Sequence, residues 1–120
     1  MDLKTMTYTN KLLVATGTYI SKNILRELAK DANYLIRADV ANNPNTPDDV
    51  LWDLAMDKDG KVRQSIARNP KSSSNLLIKL FEYEKNLKAP LVYVIEALYN
   101  NDKLPSFAKK VIETLYENWV

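Results

Sequence analysis

One passage of this chain occurs twice, 26 positions apart. Leu25-Arg26-Glu27-Leu28-Ala29-Lys30-Asp31, Ile36-Arg37 and Val40-Ala41-Asn42-Asn43-Pro44 return as Leu51-Trp52-Asp53-Leu54-Ala55-Met56-Asp57, Val62-Arg63 and Ile66-Ala67-Arg68-Asn69-Pro70. A fixed period of this size marks stacked supersecondary units, none of which can bury its apolar face alone. Each unit covers its neighbour, and together they present one continuous surface, commonly used for binding.

The units are predicted to be helical. There are two glycines in 120 residues, and apolar positions recur at spacings of three and four, the period of an amphipathic helix. Ala, Leu, Lys and Glu dominate these segments, as helices prefer. Asn43-Pro44 and Asn69-Pro70 each end a helix. Proline disfavours helical geometry in the residue before it, and asparagine tolerates the conformations of a helix exit. Thr46 is predicted to cap the next helix, with Pro47 in its first position. Asp48 and Asp49 follow, facing the positive end of the helix dipole. Val50, Leu51, Leu54 and Ala55 then form one apolar face. In the following unit Ser72-Ser73-Ser74 supply the cap and Leu76, Leu77, Leu80 and Phe81 the face, while Lys58-Asp59-Gly60 turns the chain between helices.

The pattern decays outward. Lys11, Val14, Ala15 and Gly17 precede Arg37, Val40, Ala41 and Asn43 by 26. Pro105 follows Asn100-Asn101 as Pro47 follows Asn42-Asn43, at an offset of 58 instead of 52, so six residues are inserted, within Glu82 to Pro90. A last helix from about Leu104 to Trp119, with Val111, Ile112, Leu115 and Trp119 on one side, is predicted to act as a cap, since end repeats turn a polar face to water. The expected organisation is one helical-repeat domain over residues 1–120. It comprises a degenerate repeat at 3–30, clear repeats at 31–56 and 57–82, and a divergent C-terminal repeat and cap at 88–120.

The string Val/Ile-Arg-x-x-Val/Ile-Ala-x-Asn-Pro, followed by Thr-Pro-x-x-Val-Leu-x-x-Leu-Ala-x-Asp, resembles the variant leucine-rich repeat, most strongly over residues 24–81. The resemblance implies an all-α solenoid of about four stacked helix pairs, right-handed and similar to HEAT and ARM repeats, with a scaffold role and no single activity. Family members whose repeats follow an iron–sulfur segment carry cysteines there, and this chain has none.

Composition narrows the chemistry. The chain has neither cysteine nor histidine, so thiol nucleophiles, thiolate ligands and the commonest general base are missing. A net charge of +2 is too small to argue for nucleic acid or anionic membrane. The longest apolar run falls short of a bilayer span, and Met1-Asp2-Leu3-Lys4 lacks the apolar core of a signal peptide. A cytoplasmic protein without catalytic residues, cofactor or metal is expected.

Three groups of residues are candidates for function. Asp31 and Arg37, like Asp57 and Arg63, stand six apart. Lys11, Arg37 and Arg63 read either as a basic stripe for phosphate or carboxylate, or as part of a structural ladder in which Asp31 and Asp57 bond backbone N–H groups or a neighbouring unit's arginine. The ladder is favoured, because a half-buried charge is tolerated only when paired. Arg26, Trp52 and Ile78 share a register just off the inward face and are the candidate protein-binding residues, since aromatic and arginine side chains anchor interfaces. Tyr83, Tyr93 and Tyr99 could stack bases beside Lys79, Lys85 and Lys88, but filling irregular packing accounts for them more simply. Asp57-Lys58-Asp59-Gly60 opens like a calcium loop, yet its twelfth position is Arg68, where the loop needs Glu.

The expected function is a non-catalytic protein-binding module or adaptor, as a monomer or homodimer. The alternative is a nucleic-acid-binding module using Lys11, Arg37, Arg63, Arg68 and Lys71, should these converge on one exposed face. A small bacterial or phage regulatory inhibitor acting by binding ranks below both.

Overall fold

A computed structural model describes residues 2–17 and 20–117. Among the described residues there are eight helices and no strand: α1 (Tyr8–Ala15), α2 (Lys22–Leu28), α3 (Tyr34–Asn42), α4 (Asp48–Leu54), α5 (Gly60–Arg68), α6 (Ser74–Lys85), α7 (Val92–Tyr99) and α8 (Ser106–Leu115). Side-chain oxygens of Thr7, Ser21, Asn33, Asp59 and Ser73 accept backbone N–H groups at the starts of α1, α2, α3, α5 and α6, satisfying donors that the first turn leaves unpaired.

The start of α4 corrects the expectation for Thr46. Pro47, not Thr46, is its N-cap, and no side chain caps it. The buried Thr46 hydroxyl turns back and donates to the Val40 carbonyl at 2.6 Å. Ser72 does the same to Ile66 at 2.6 Å, which leaves Ser73 to cap α6. In both corners the carbonyl belongs to the last turn of a helix and also accepts the N–H of the C-cap asparagine, at 3.1 Å from Asn43 and 3.2 Å from Asn69, so the hydroxyl fills its second acceptor site.

The helices form two sets. α1 packs on α3, α3 on α5 and α5 on α7, making a spine, while α2, α4, α6 and α8 lean against its members. The molecule measures 48 × 24 × 18 Å along its principal axes. Leu25, Leu51 and Leu77 from the second set, and Ile36, Val62 and Val94 from the spine, are all buried, as are Leu28, Leu54 and Leu80. The insertion enters mainly as extra helix: α6 has 12 residues where α2 and α4 have 7. Gly60 lies where α5 meets the α7 side. A Cβ there would collide with Leu91 Cδ1 and the Tyr93 hydroxyl, so the close approach depends on its lack of a side chain.

At the C-terminal end α8 departs from the expected polar cap. It ends at Leu115, and its buried residues are Ala108 and Ile112. Phe107 and Leu115 are more than half exposed, with Val111 half-buried between them. Leu115 therefore lies off the packed side of α8, which among the described residues packs mainly on α7. Trp119 lies outside the described residues. No helix among the described residues is long and apolar enough to cross a membrane.

Candidate functional site

The repeated charges meet across units. Lys11 donates to Asp31 at 2.6 Å. Arg37 donates to both carboxylate oxygens of Asp57, at 2.8 and 3.0 Å, and its Nη1 to the Asp31 carbonyl at 2.8 Å. Arg63 repeats this geometry with Glu84 at 2.7 and 3.3 Å and with the Asp57 carbonyl at 2.8 Å. Each arginine thus clips its own turn to the acid of the next unit. The acids are seated by backbone donors as well: Asn33 N–H on Asp31, Asp59 N–H on Asp57 and Leu91 N–H on Glu84. Burial pushes the Asp31 carboxyl up, but the Lys11 and Asn33 hydrogen bonds and the Lys11 and Arg37 charges outweigh it and hold it below the usual value. The third rung falls on Glu84, one place beyond the position 26 after Asp57, which is Tyr83. The ladder stops where Ile95 takes the place of Arg63 in the fourth unit.

A second ladder runs along the other end of the spine. Asn43 donates to the carbonyls of Ala15 and Gly17, Asn69 to Ala41 and Asn101 to Ala67, at 2.7 to 3.0 Å. Each asparagine oxygen also accepts the N–H two residues on, from Asn45, Lys71 and Lys103. This corrects the role given to Asn43 and Asn69. Both are extended, and no described residue has positive φ. The asparagine is there for its amide, which bridges one unit's helix end to the next unit's turn.

The three candidate contact residues sit on the second set of helices. Arg26 is paired with Asp49 of α4 at 3.1 Å, Trp52 is 37 % exposed and Ile78 is half-buried. None of them borders the groove formed by Met56, Lys79, Glu82, Tyr83, Asn86 and Leu87 on this side. The tyrosines are engaged within the chain. Tyr99 donates to Glu113 at 2.8 Å, Tyr93 lies under Lys61 at 4.5 Å, and Tyr83 lies 5.8 Å from the Arg63 guanidinium.

The spine carries a surface that the repeat pattern does not flag. A groove of about 460 Å³ runs between α1, α3 and α5, and one of about 430 Å³ continues between α5 and α7. Gln64 and Arg68 border both. Residues in equivalent register along this face mostly differ: Leu35, Lys61 and Tyr93; Ala38, Gln64 and Glu96; and Arg68 where the neighbouring helices have Asn42 and Asn100. On the buried side of the same helices Ile36, Val62 and Val94 stay alike, as do Asn43, Asn69 and Asn101 in the ladder. The face combines aromatic, amide and charged side chains with no cluster of three acids able to hold a metal among the described residues.

Comparison with protein-family models, with curated proteins and with solved structures gives no match to this chain.

Proposed function

We propose that the chain is a helical-repeat solenoid of the kind its sequence resembles, and that it binds another protein through the exposed face of α1, α3, α5 and α7 without chemistry of its own. One observation carries this reading. Positions locked to the repeat are buried or held in the two ladders, while most positions lining the two adjoining grooves on the same helices change from unit to unit. Stacking explains the first set. Variation on a regular scaffold is how such a surface acquires a particular partner. A cytoplasmic setting is consistent with the absence of cysteine.

The nucleic-acid alternative draws less support. Lys11, Arg37 and Arg63 are each bonded to a carboxylate, so of the five cations proposed for that role Arg68 and Lys71 alone remain as exposed charges without a carboxylate partner among the described residues. Phosphate binding would need several such charges on one face.

The test is capture from native extract, with and without nuclease, using wild type, a Gln64→Ala/Arg68→Ala variant and Trp52→Ala. The proposal expects a protein that survives nuclease and is lost only with the Gln64/Arg68 variant. Loss confined to Trp52→Ala would move the site to α4, and loss on nuclease treatment would favour nucleic acid.

A further inference from the structure

Asp39 is an anomaly on the proposed face. Asp31, Asp57, Asp59 and Glu84, the other acids that are not exposed, each hold a cation or a backbone N–H. Asp39 is half-buried on α3 and has no ion pair or side-chain hydrogen bond among the described residues. Burial pushes its carboxyl above the usual value, and no neighbouring cation offsets the effect. The repeat does not require an acid here, because the equivalent positions hold Leu13, Ser65 and Ala97. A desolvated carboxylate without a partner is unfavourable for the folded chain, so the fold alone gives no reason for Asp39.

Its surroundings suit a cation from outside. Asp39 lines the α1–α3–α5 groove with Tyr8 and Tyr34, both about two-fifths exposed. Aromatic faces beside a carboxylate form a pocket for lysine or arginine, whose charge pairs with the acid while the stem lies along the rings. Lys61 lines the groove too, but its ammonium lies over the Tyr93 ring, 4.5 Å from the centroid. Arg68, at the α5 border, has no carboxylate partner among the described residues and can take a carbonyl or acidic side chain of the same occupant. A polyanion would satisfy Arg68 and be repelled by Asp39, whereas a protein segment carries both signs.

We propose that this groove receives a basic side chain from an exposed segment of a partner protein, with Asp39 as the receiving carboxylate and Tyr8 and Tyr34 as aromatic walls. The inference rests on the spine face being the binding face.

A displayed library of random short peptides, selected on the immobilised full chain, tests it. Recovered peptides are measured against wild type, Asp39→Asn, Asp39→Lys, Gln64→Ala/Arg68→Ala and Trp52→Ala, each checked for an intact melting transition. The expected peptides carry lysine or arginine at one fixed position. Either Asp39→Asn or replacement of that residue by methionine weakens binding about tenfold, between the effects of exposed and buried pairs. Selection on Asp39→Lys should return an acidic residue instead. Peptides that need Gln64 and Arg68 but ignore Asp39 would overturn the assignment of Asp39 and leave the spine face standing. Peptides that depend on Trp52 alone, or no recovered peptide, would overturn both.

Discussion

Replacing Arg63 with alanine should be the most damaging single change to the charge ladder. The side chain is 4 % exposed and its partner Glu84 is fully buried. Three hydrogen bonds are lost, two to the Glu84 carboxylate and one to the Asp57 carbonyl. Glu84 then keeps only the Leu91 N–H, so its charge is buried and largely uncompensated. Removing one partner of a buried pair costs about 3–5 kcal/mol, mostly the penalty on the stranded charge. Urea unfolding at pH 7 reads the effect, provided the denaturant slope is unchanged. Lys11→Ala supplies the comparison. Its pair is more exposed, at 21 % and 13 %, and has one bond, so its loss should be about 1 kcal/mol or less. A cost for Arg63→Ala under about 1 kcal/mol, or one smaller than that of Lys11→Ala, would refute the reasoning.

Other substitutions probe separate parts of the account. Leu54→Ala removes a side chain that is 3 % exposed and should cost about 2–5 kcal/mol in the same assay; a loss below about 1 kcal/mol would put that residue outside the core. Asn69→Ala strips a partner from the Ala41 carbonyl and from the Lys71 N–H and should cost about 1–3 kcal/mol, whereas an unchanged melting curve would remove the second ladder from the energetics. Asp39→Asn should melt higher than wild type at pH 7. The folded carboxyl lies above its ordinary value of 3.8, so its penalty is present at neutral pH and the advantage of the amide variant should close as pH falls below that value. A variant less stable than wild type at pH 7 would contradict the view that Asp39 is unpaired.

What the sequence makes legible is what its 26-residue step marks. Leu25, Leu51 and Leu77, or Ile36 and Val62, recur at that step and are all buried, so period and burial coincide. The pairing of Arg37 with Asp57 is foreseeable for a related reason: buried charges at a fixed step need a fixed partner. Three features escape this kind of reading. The hydroxyls of Thr46 and Ser72 serve a carbonyl behind them, and residue type alone does not distinguish that from a cap ahead. Glu84 enters the ladder one place out of register, because the longer α6 carries an extra turn and a longer acid spans the gap. The grooved face is hard to find by a search for repetition, since most of its residues do not repeat; Lys61 and Gln64 stand out only once α3, α5 and α7 are seen side by side, and Arg68, legible in the sequence as a cation, is placed between them.

The most direct test of the spine face as the binding face is amide chemical-shift mapping of the labelled chain with a peptide selected on wild type. The account predicts perturbations concentrated at Leu35, Asn42, Gln64, Arg68 and Glu96, with Trp52 and Met56 unmoved. Perturbations centred on Trp52 and Met56 of the α4 side, with Gln64 and Arg68 silent, would contradict it.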